Sequence, residues 1–233
     1  MNFKLYHNLY FDLDRTLWDY ETNASEALHE IFQEFELQPI FGQFDNFRNA
    51  FIKYNDALWR QYEKGTLKKE TLRVRRFELA LLDYKMKDKK LSIKLNDSFL
   101  NISPRKSGLM PGANEALDYL KSKSYRMYIL TNGFTQIQEM KMESAGLNPY
   151  FEKMFTTENT KSHKPKRAIF EHAIKSVNAK KSESLMIGDD LEVDIIGARN
   201  FGMDQVYFNP AKTTHKEMIT YEISNLAELK NLL

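Results

Sequence analysis

Short apolar runs closed by polar residues punctuate the chain at Leu9-Tyr10-Phe11-Asp12-Leu13 and at residues 126–130, 154–157, 184–187 and 205–208. Runs this brief, rich in Ile, Val, Leu, Met, Phe and Tyr, have the pattern of strands buried on both faces of a parallel sheet. Between them the apolar positions recur at helical spacing. Ala116, Leu117 and Leu120 make one stripe; Ile137, Met140, Ser144 and Ala145, stopped by Gly146, make a second; Ile169, Phe170, Ala173, Ile174 and Val177 make a third. Strand and helix thus alternate from about residue 108 to the end, which predicts βαβ units and an α/β fold with a doubly wound parallel sheet. Sites in such sheets form at the carboxyl ends of the strands.

Residues 18–103 break this rhythm, with helical periods and no convincing strand. Asn23 with Glu26 resembles a capping box ahead of the stripe Ala27, Leu28, Ile31, Phe32, Phe35. Phe47, Phe51, Tyr54, Leu58 and Tyr62 form another stripe ending at Gly65, and residues 72–82 can form a further one. The pattern predicts an all-α domain over 18–103 inserted into a core built from 1–17 and 104–233. Pro104 and Pro111-Gly112 mark the return hinge.

Composition narrows the function classes. In 233 residues, 42% hydrophobic, the 34 Lys plus Arg nearly cancel the 32 Asp plus Glu, and the net charge of +2 supplies no global field for a nucleic-acid polymer or an acidic membrane. The absence of cysteine removes disulfides, thiolate metal sites and a cysteine nucleophile. From Met1 to His7 no cationic stretch leads into a long apolar run, and nothing later approaches the ~20 apolar residues of a membrane span. The expectation is a cytoplasmic protein with no membrane attachment and no obligate protein partner.

Four motifs follow predicted strands. Asp12 and Asp14 are two apart, so in extended chain both carboxylates point one way, and two such acids repel unless a cation or a proton intervenes. Magnesium suits them, as it takes one or two carboxylates and keeps waters for a substrate; acids capping the next helix give the same spacing. Thr131-Asn132-Gly133 offers a hydroxyl and backbone N–H groups that can cradle a phosphate, or a turn with a helix cap. Lys164-Pro165 presents a compact cation on restricted backbone, although most lysines are merely solvated. Gly188-Asp189-Asp190-Leu191-Glu192-Val193-Asp194 gathers four acids at the start of a helix, where they can complete a cation site while at least one caps the helix.

The order Asp12-x-Asp14-x-Thr16, Thr131, Lys164-Pro165 and Gly188-Asp189 with Asp194 resembles the haloacid dehalogenase-like superfamily of phosphohydrolases, from Tyr10 to about Phe208. The run from Phe11 to Asp19, with Thr131-Asn-Gly-Phe134, is most similar to its bacterial house-cleaning 5′-nucleotidase branch. The resemblance implies a Rossmann-like core with a helical cap. Asp12 would be the nucleophile that forms an aspartyl-phosphate, and Asp14 the general acid and then base. Mg²⁺ would be held by Asp12, the Asp14 backbone carbonyl and Asp189, with Asp190 in reserve and Asp194 binding the metal indirectly or bracing the loops. Thr131, Asn132 and Lys164 would hold phosphoryl oxygens of a small phosphorylated metabolite, a nucleoside 5′-monophosphate above others. Arg15, where many relatives carry glycine, and Trp18 stand where core and cap meet, and are candidates for substrate contact.

Three rivals follow from the same resemblance. A haloacid dehalogenase uses the Asp nucleophile without metal and needs no Asp14. A phosphosugar phosphatase or mutase shares the whole motif set. A phosphate-binding regulator without turnover is compatible with the fold, but has no use for Asp14.

Overall fold

The computed structural model describes residues 5–233; the reading of Met1 to His7, and the core expected from residue 1, extend outside them at residues 1–4. The described chain forms two compact units, residues 5–20 with Ser107–Leu233, and Glu21–Lys106. These seams fall a few residues beyond the expected ones. The reason is local: Asp19 N–H donates to Gly108 O at 3.0 Å, Met110 N–H donates to Leu17 O at 2.8 Å, and Trp18 bridges Leu109 in antiparallel fashion. The outgoing and returning chains are therefore laced together before either leaves the core unit.

The core unit is a parallel sheet of β1 (Asn8–Phe11), β2 (Arg126–Leu130), β3 (Lys153–Phe155), β4 (Ser184–Gly188), β5 (Asp204–Phe208) and β6 (Tyr221–Ile223), in the order β3-β2-β1-β4-β5-β6. The expected α/β doubly wound sheet is thus present. β6 was not expected; it is a short edge strand in which only Ile223 is buried. β1 lies at the centre, with Tyr10 in register with Tyr128 on one side and Met186 on the other. Alternate residues feed opposite faces. Leu9, Phe11, Met127, Ile129, Leu185 and Ile187 join one core cluster, and Tyr10, Tyr128, Leu130 and Met186 the other.

In chain order the helices are α1 (Tyr20–Glu34), α2 (Gln38–Phe41), α3 (Phe44–Glu63), α4 (Lys69–Asp83), α5 (Lys89–Ile102), α6 (Ala113–Ser122), α7 (Thr135–Ser144), α8 (Thr157–Thr160), α9 (Arg167–Ser176), α10 (Gly197–Phe201) and α11 (Leu229–Leu232). A wide helical turn, Leu191–Ile196, leads into α10. Among the described residues no helix is long and apolar enough to cross a membrane.

The unit Glu21–Lys106 is helical and closes on an aromatic interior, in which Phe51 lies 5.0 Å from Phe77 and 4.9 Å from Phe99 between ring centroids. Asn23 is not the expected cap. Helix α1 already begins at Tyr20, so Asn23 is inside it and buried. Helix α5, absent from the sequence reading, starts where Asp88 accepts a hydrogen bond from Leu91 N–H at 2.9 Å.

Candidate active site

Three strand ends and one loop carry the chemistry onto one edge of the sheet; Lys164, expected at a strand end, lies instead between α8 and α9. Asp12 follows β1, with its N–H still bonded to Ile187 O at 2.9 Å. Thr131 follows β2 and Asp189 follows β4, while Lys164 stands in the loop before α9. Lys164 is 1% exposed, and its Nζ lies 2.5 Å from Asp12 Oδ1 and 2.6 Å from Asp194 Oδ1. Carboxylate oxygens of Asp12, Asp189 and Asp194 lie within 4.8 Å of one another.

That cluster holds three acids around one lysine. Burial pushes the Asp12 carboxyl up, against the opposing charge of Lys164. Burial likewise raises Asp194 well above the usual carboxylate range. Asp189 is pushed up to about 7, first by burial and then by the charge of Asp12, with the Thr16 hydroxyl and Arg15 pulling the other way. Burial alone would lower Lys164, but the charges of Asp12 and Asp194 outweigh it and keep the ammonium protonated. The negative excess and the hard oxygen donors fit a small divalent cation. Asp12 and Asp189 could hold it: Asp12 meets Lys164 through Oδ1 alone, whereas Asp194 has Oδ1 on Lys164 and Oδ2 on Asp190 N–H, at 3.2 Å. Asp194 also packs against Gly188, where any Cβ would collide with its carboxylate.

Asp190 is exposed and caps the following turn, its Oδ1 accepting from Glu192 N–H at 2.9 Å and Val193 N–H at 2.8 Å. It lies outside the carboxylate cluster, which includes its neighbour Asp189. Asn132 has a structural tie beside its expected role. Its side chain grips the Lys164 backbone at both ends, Lys164 N–H to Oδ1 at 2.8 Å and Nδ2 to Lys164 O at 3.0 Å. This places the lysine. Thr131 Oγ1 accepts from Gly133 N–H at 3.0 Å and Gln138 Nε2 at 2.7 Å, which leaves its own O–H to donate to a phosphoryl oxygen.

The Asp14 side chain does not point with Asp12. β1 ends at Phe11, and a turn follows in which Leu17 N–H and Trp18 N–H both reach Leu13 O, with Arg15 at φ 64°. The alternation of extended chain is lost there. Asp14 Oδ1 instead takes Lys141 Nζ at 2.5 Å and Oδ2 takes Gln138 Nε2 at 2.9 Å. Both partners lie on α7, whose buried residues are Gln138, Lys141 and Met142, not the expected apolar stripe through Ile137 and Met140. The signal that could have found them is the polar pair one turn apart just after Thr131-Asn132-Gly133.

Trp18 cannot meet a substrate as expected, because it is fully buried in the first core cluster, its ring 4.4 Å beneath Lys141 Nζ. Arg15 lays its guanidinium 4.5 Å over the Tyr20 ring. Its left-handed backbone accounts for glycine being acceptable at this position.

A family model described as haloacid dehalogenase-like hydrolase matches residues 8–202. The chain is 30% identical over 231 residues to pyrimidine 5′-nucleotidase PynA of Streptococcus pneumoniae, covering 98% of this chain and 95% of that one. It is 29% identical to pyrimidine 5′-nucleotidase YjjG of Escherichia coli, over 97% and 96% of the two chains. The crystal structure of the HAD-hydrolase YfnB from Bacillus subtilis, bound to magnesium, superposes with a TM-score of 0.89 at 27% identity, covering 98% of this chain and 99% of that one.

Proposed function

The chain belongs to the haloacid dehalogenase-like hydrolase family and is a phosphatase, and we propose that it is a magnesium-dependent phosphomonoesterase that works through an aspartyl-phosphate on Asp12. The observation that carries this reading is the separation of two acids only two residues apart. Asp12 is buried beside Lys164 in the acidic cluster, while Asp14 is held outside it by Gln138 and Lys141. Two acids in two environments take two roles. A dehalogenase or a phosphate-binding regulator has no use for the second.

An oxygen of the Asp12 carboxylate attacks phosphorus and the bond to the leaving oxygen breaks, while the Asp14 carboxylic acid gives its proton to that oxygen to complete the alcohol. Water then attacks the aspartyl-phosphate and yields its proton to the Asp14 carboxylate. The phosphorus–oxygen bond to Asp12 breaks, releasing inorganic phosphate. Throughout, Lys164 Nζ and the Thr131 hydroxyl face the phosphoryl oxygens. Asp12, Asp189 and the Asp14 backbone carbonyl would hold Mg²⁺, which would supply the charge neutralisation that lets an anionic nucleophile approach an anionic ester.

Nucleoside 5′-monophosphates are the proposed substrate class, supported by near-full-length alignment to relatives named pyrimidine 5′-nucleotidases. The test is phosphate release from nucleoside 5′-monophosphates, hexose phosphates and triose phosphates, with Mg²⁺ and with EDTA. The expected result is highest kcat/KM on the nucleotides, no turnover after chelation, and none in a folded Asp12→Asn variant. Better turnover of the sugar phosphates would sink the nucleotide assignment; an active Asp12→Asn variant would sink the covalent route.

A further inference from the structure

Helix α7 turns an unusual face inward. Lys141 is 6% exposed and Gln138 0%, in a position where stability alone would favour apolar residues. Gln138 spends its amide NH₂ on two acceptors, Thr131 Oγ1 and Asp14 Oδ2, and its Oε1 is left buried without a hydrogen-bond partner. While Asp14 is ionised its oxygens can only accept, so the amide presents its nitrogen there and leaves its own oxygen stranded. A stranded acceptor costs about 1–3 kcal/mol. Gly133 leaves the room for this packing, since a Cβ there would collide with the Gln138 side chain. Lys141 is held from the other side by the Trp18 ring, 4.4 Å from its Nζ.

We propose that Gln138 and Lys141 form a clamp that positions Asp14 for proton transfer to the leaving oxygen, with Trp18 as the floor under the lysine. Lys141 fixes one carboxylate oxygen by charge. Gln138 fixes the other and ties it to Thr131, so the group that donates the proton and the group that orients the phosphoryl oxygens move as one. The clamp rests on the phosphatase reading and adds positioning residues to it; both act through the Asp14 carboxyl rather than on the substrate.

The test compares two esters that depend differently on that proton. Uridine 5′-monophosphate expels an alkoxide that needs protonation, whereas p-nitrophenyl phosphate expels a stabilised phenolate that needs little. The departure step is read by kcat/KM, because the later hydrolysis of the aspartyl-phosphate is common to both. General acid catalysis contributes roughly 10²–10⁴, so Lys141→Met is expected to shift the ratio of the two kcat/KM values toward p-nitrophenyl phosphate by at least about tenfold. Gln138→Met should shift it in the same direction by less, and Lys141→Arg should restore most of the wild-type ratio. A ratio does not depend on how much of a variant folds, so a merely structural role would leave it unchanged. An unchanged ratio in Lys141→Met, with the wild type active, overturns the clamp alone. A wild type that hydrolyses neither ester overturns the phosphatase reading beneath it.

Discussion

Arg76, in the helical unit, and Lys164, in the core unit, are both long cations with almost no exposure, 4% and 1%, yet they are satisfied in opposite ways. Arg76 donates to the amide oxygens of Asn55 at 3.0 Å and Asn96 at 3.3 Å, and lies 4.8 Å over the Phe99 ring and 5.3 Å over Phe51. Lys164 meets two carboxylates, with a third acid in the same cluster. Amide dipoles and ring faces hold the Arg76 guanidinium in place. Three acids around one lysine leave a negative excess that calls for another cation or a proton. A buried cation alone therefore does not mark a site; several buried acids gathered around one cation do.

The comparison breaks most visibly in turnover. Removing one preorganised charge stabiliser costs roughly 10²–10³ in rate, so Lys164→Ala should lose at least that much phosphate release in steady-state assays. A loss of only a few-fold would mean that its carboxylate partners, not the phosphoryl group, are what Lys164 serves. Arg76→Ala should instead act on stability. Stranding the two amide oxygens and opening a cavity among the rings costs about 2–4 kcal/mol, read as a lower urea midpoint, while the folded fraction keeps its rate per molecule. A rate loss at full stability would move Arg76 out of the structural role.

The negative excess also has a pH signature. The Asp189 carboxyl is pushed up from 3.8 to about 7 in the folded protein. The folded state then holds a proton that the unfolded chain has released, so stability falls as pH rises through that window. Metal-free protein should lose about a few degrees of melting temperature between pH 4 and 7, and Mg²⁺ should reverse the loss by taking the place of the proton. A melting temperature indifferent to both pH and Mg²⁺ would mean that Asp189 carries no excess charge to relieve.

Hydrophobic periodicity made the sheet legible because its strands are apolar on both faces, and each predicted run lies within a residue or two of β1 to β5. Much of the site was legible for the same reason: Asp12, Thr131 and Asp189 stand where an apolar run stops. The rule fails where the interior itself is polar. On α7 the buried residues are Gln138 and Lys141, so the search for an apolar stripe selected the wrong face. In α5 the buried set Ser92, Leu95, Asn96 and Phe99 mixes polar and apolar residues, and no stripe stood out. Trp18 misled in the other direction, an aromatic residue beside the nucleophile that packs into the core cluster.

Arg15 gives the smallest and finest test, because it stands next to the site but is satisfied in the manner of Arg76, by a ring face. Its φ of 64° puts a β-carbon in left-handed backbone, at a cost of roughly 1–2 kcal/mol. Against that, the guanidinium stacks 4.5 Å over Tyr20, worth about 0.5–1 kcal/mol at an exposed site. Glycine removes the strain and the contact together, and adds about 0.4–1 kcal/mol of unfolded-state freedom, so Arg15→Gly should lie within about 1 kcal/mol of the parent. Alanine loses the contact and keeps the strain. Arg15→Ala is therefore expected below Arg15→Gly by about 1 kcal/mol in urea unfolding. The Arg15 charge also helps hold Asp189 down, so both variants should lose melting temperature more steeply with rising pH than the parent when metal-free. If alanine proves as stable as glycine, the left-handed backbone carries no strain. If the pH slope stays unchanged, Arg15 belongs wholly with the ring-satisfied cations and not with the acidic cluster.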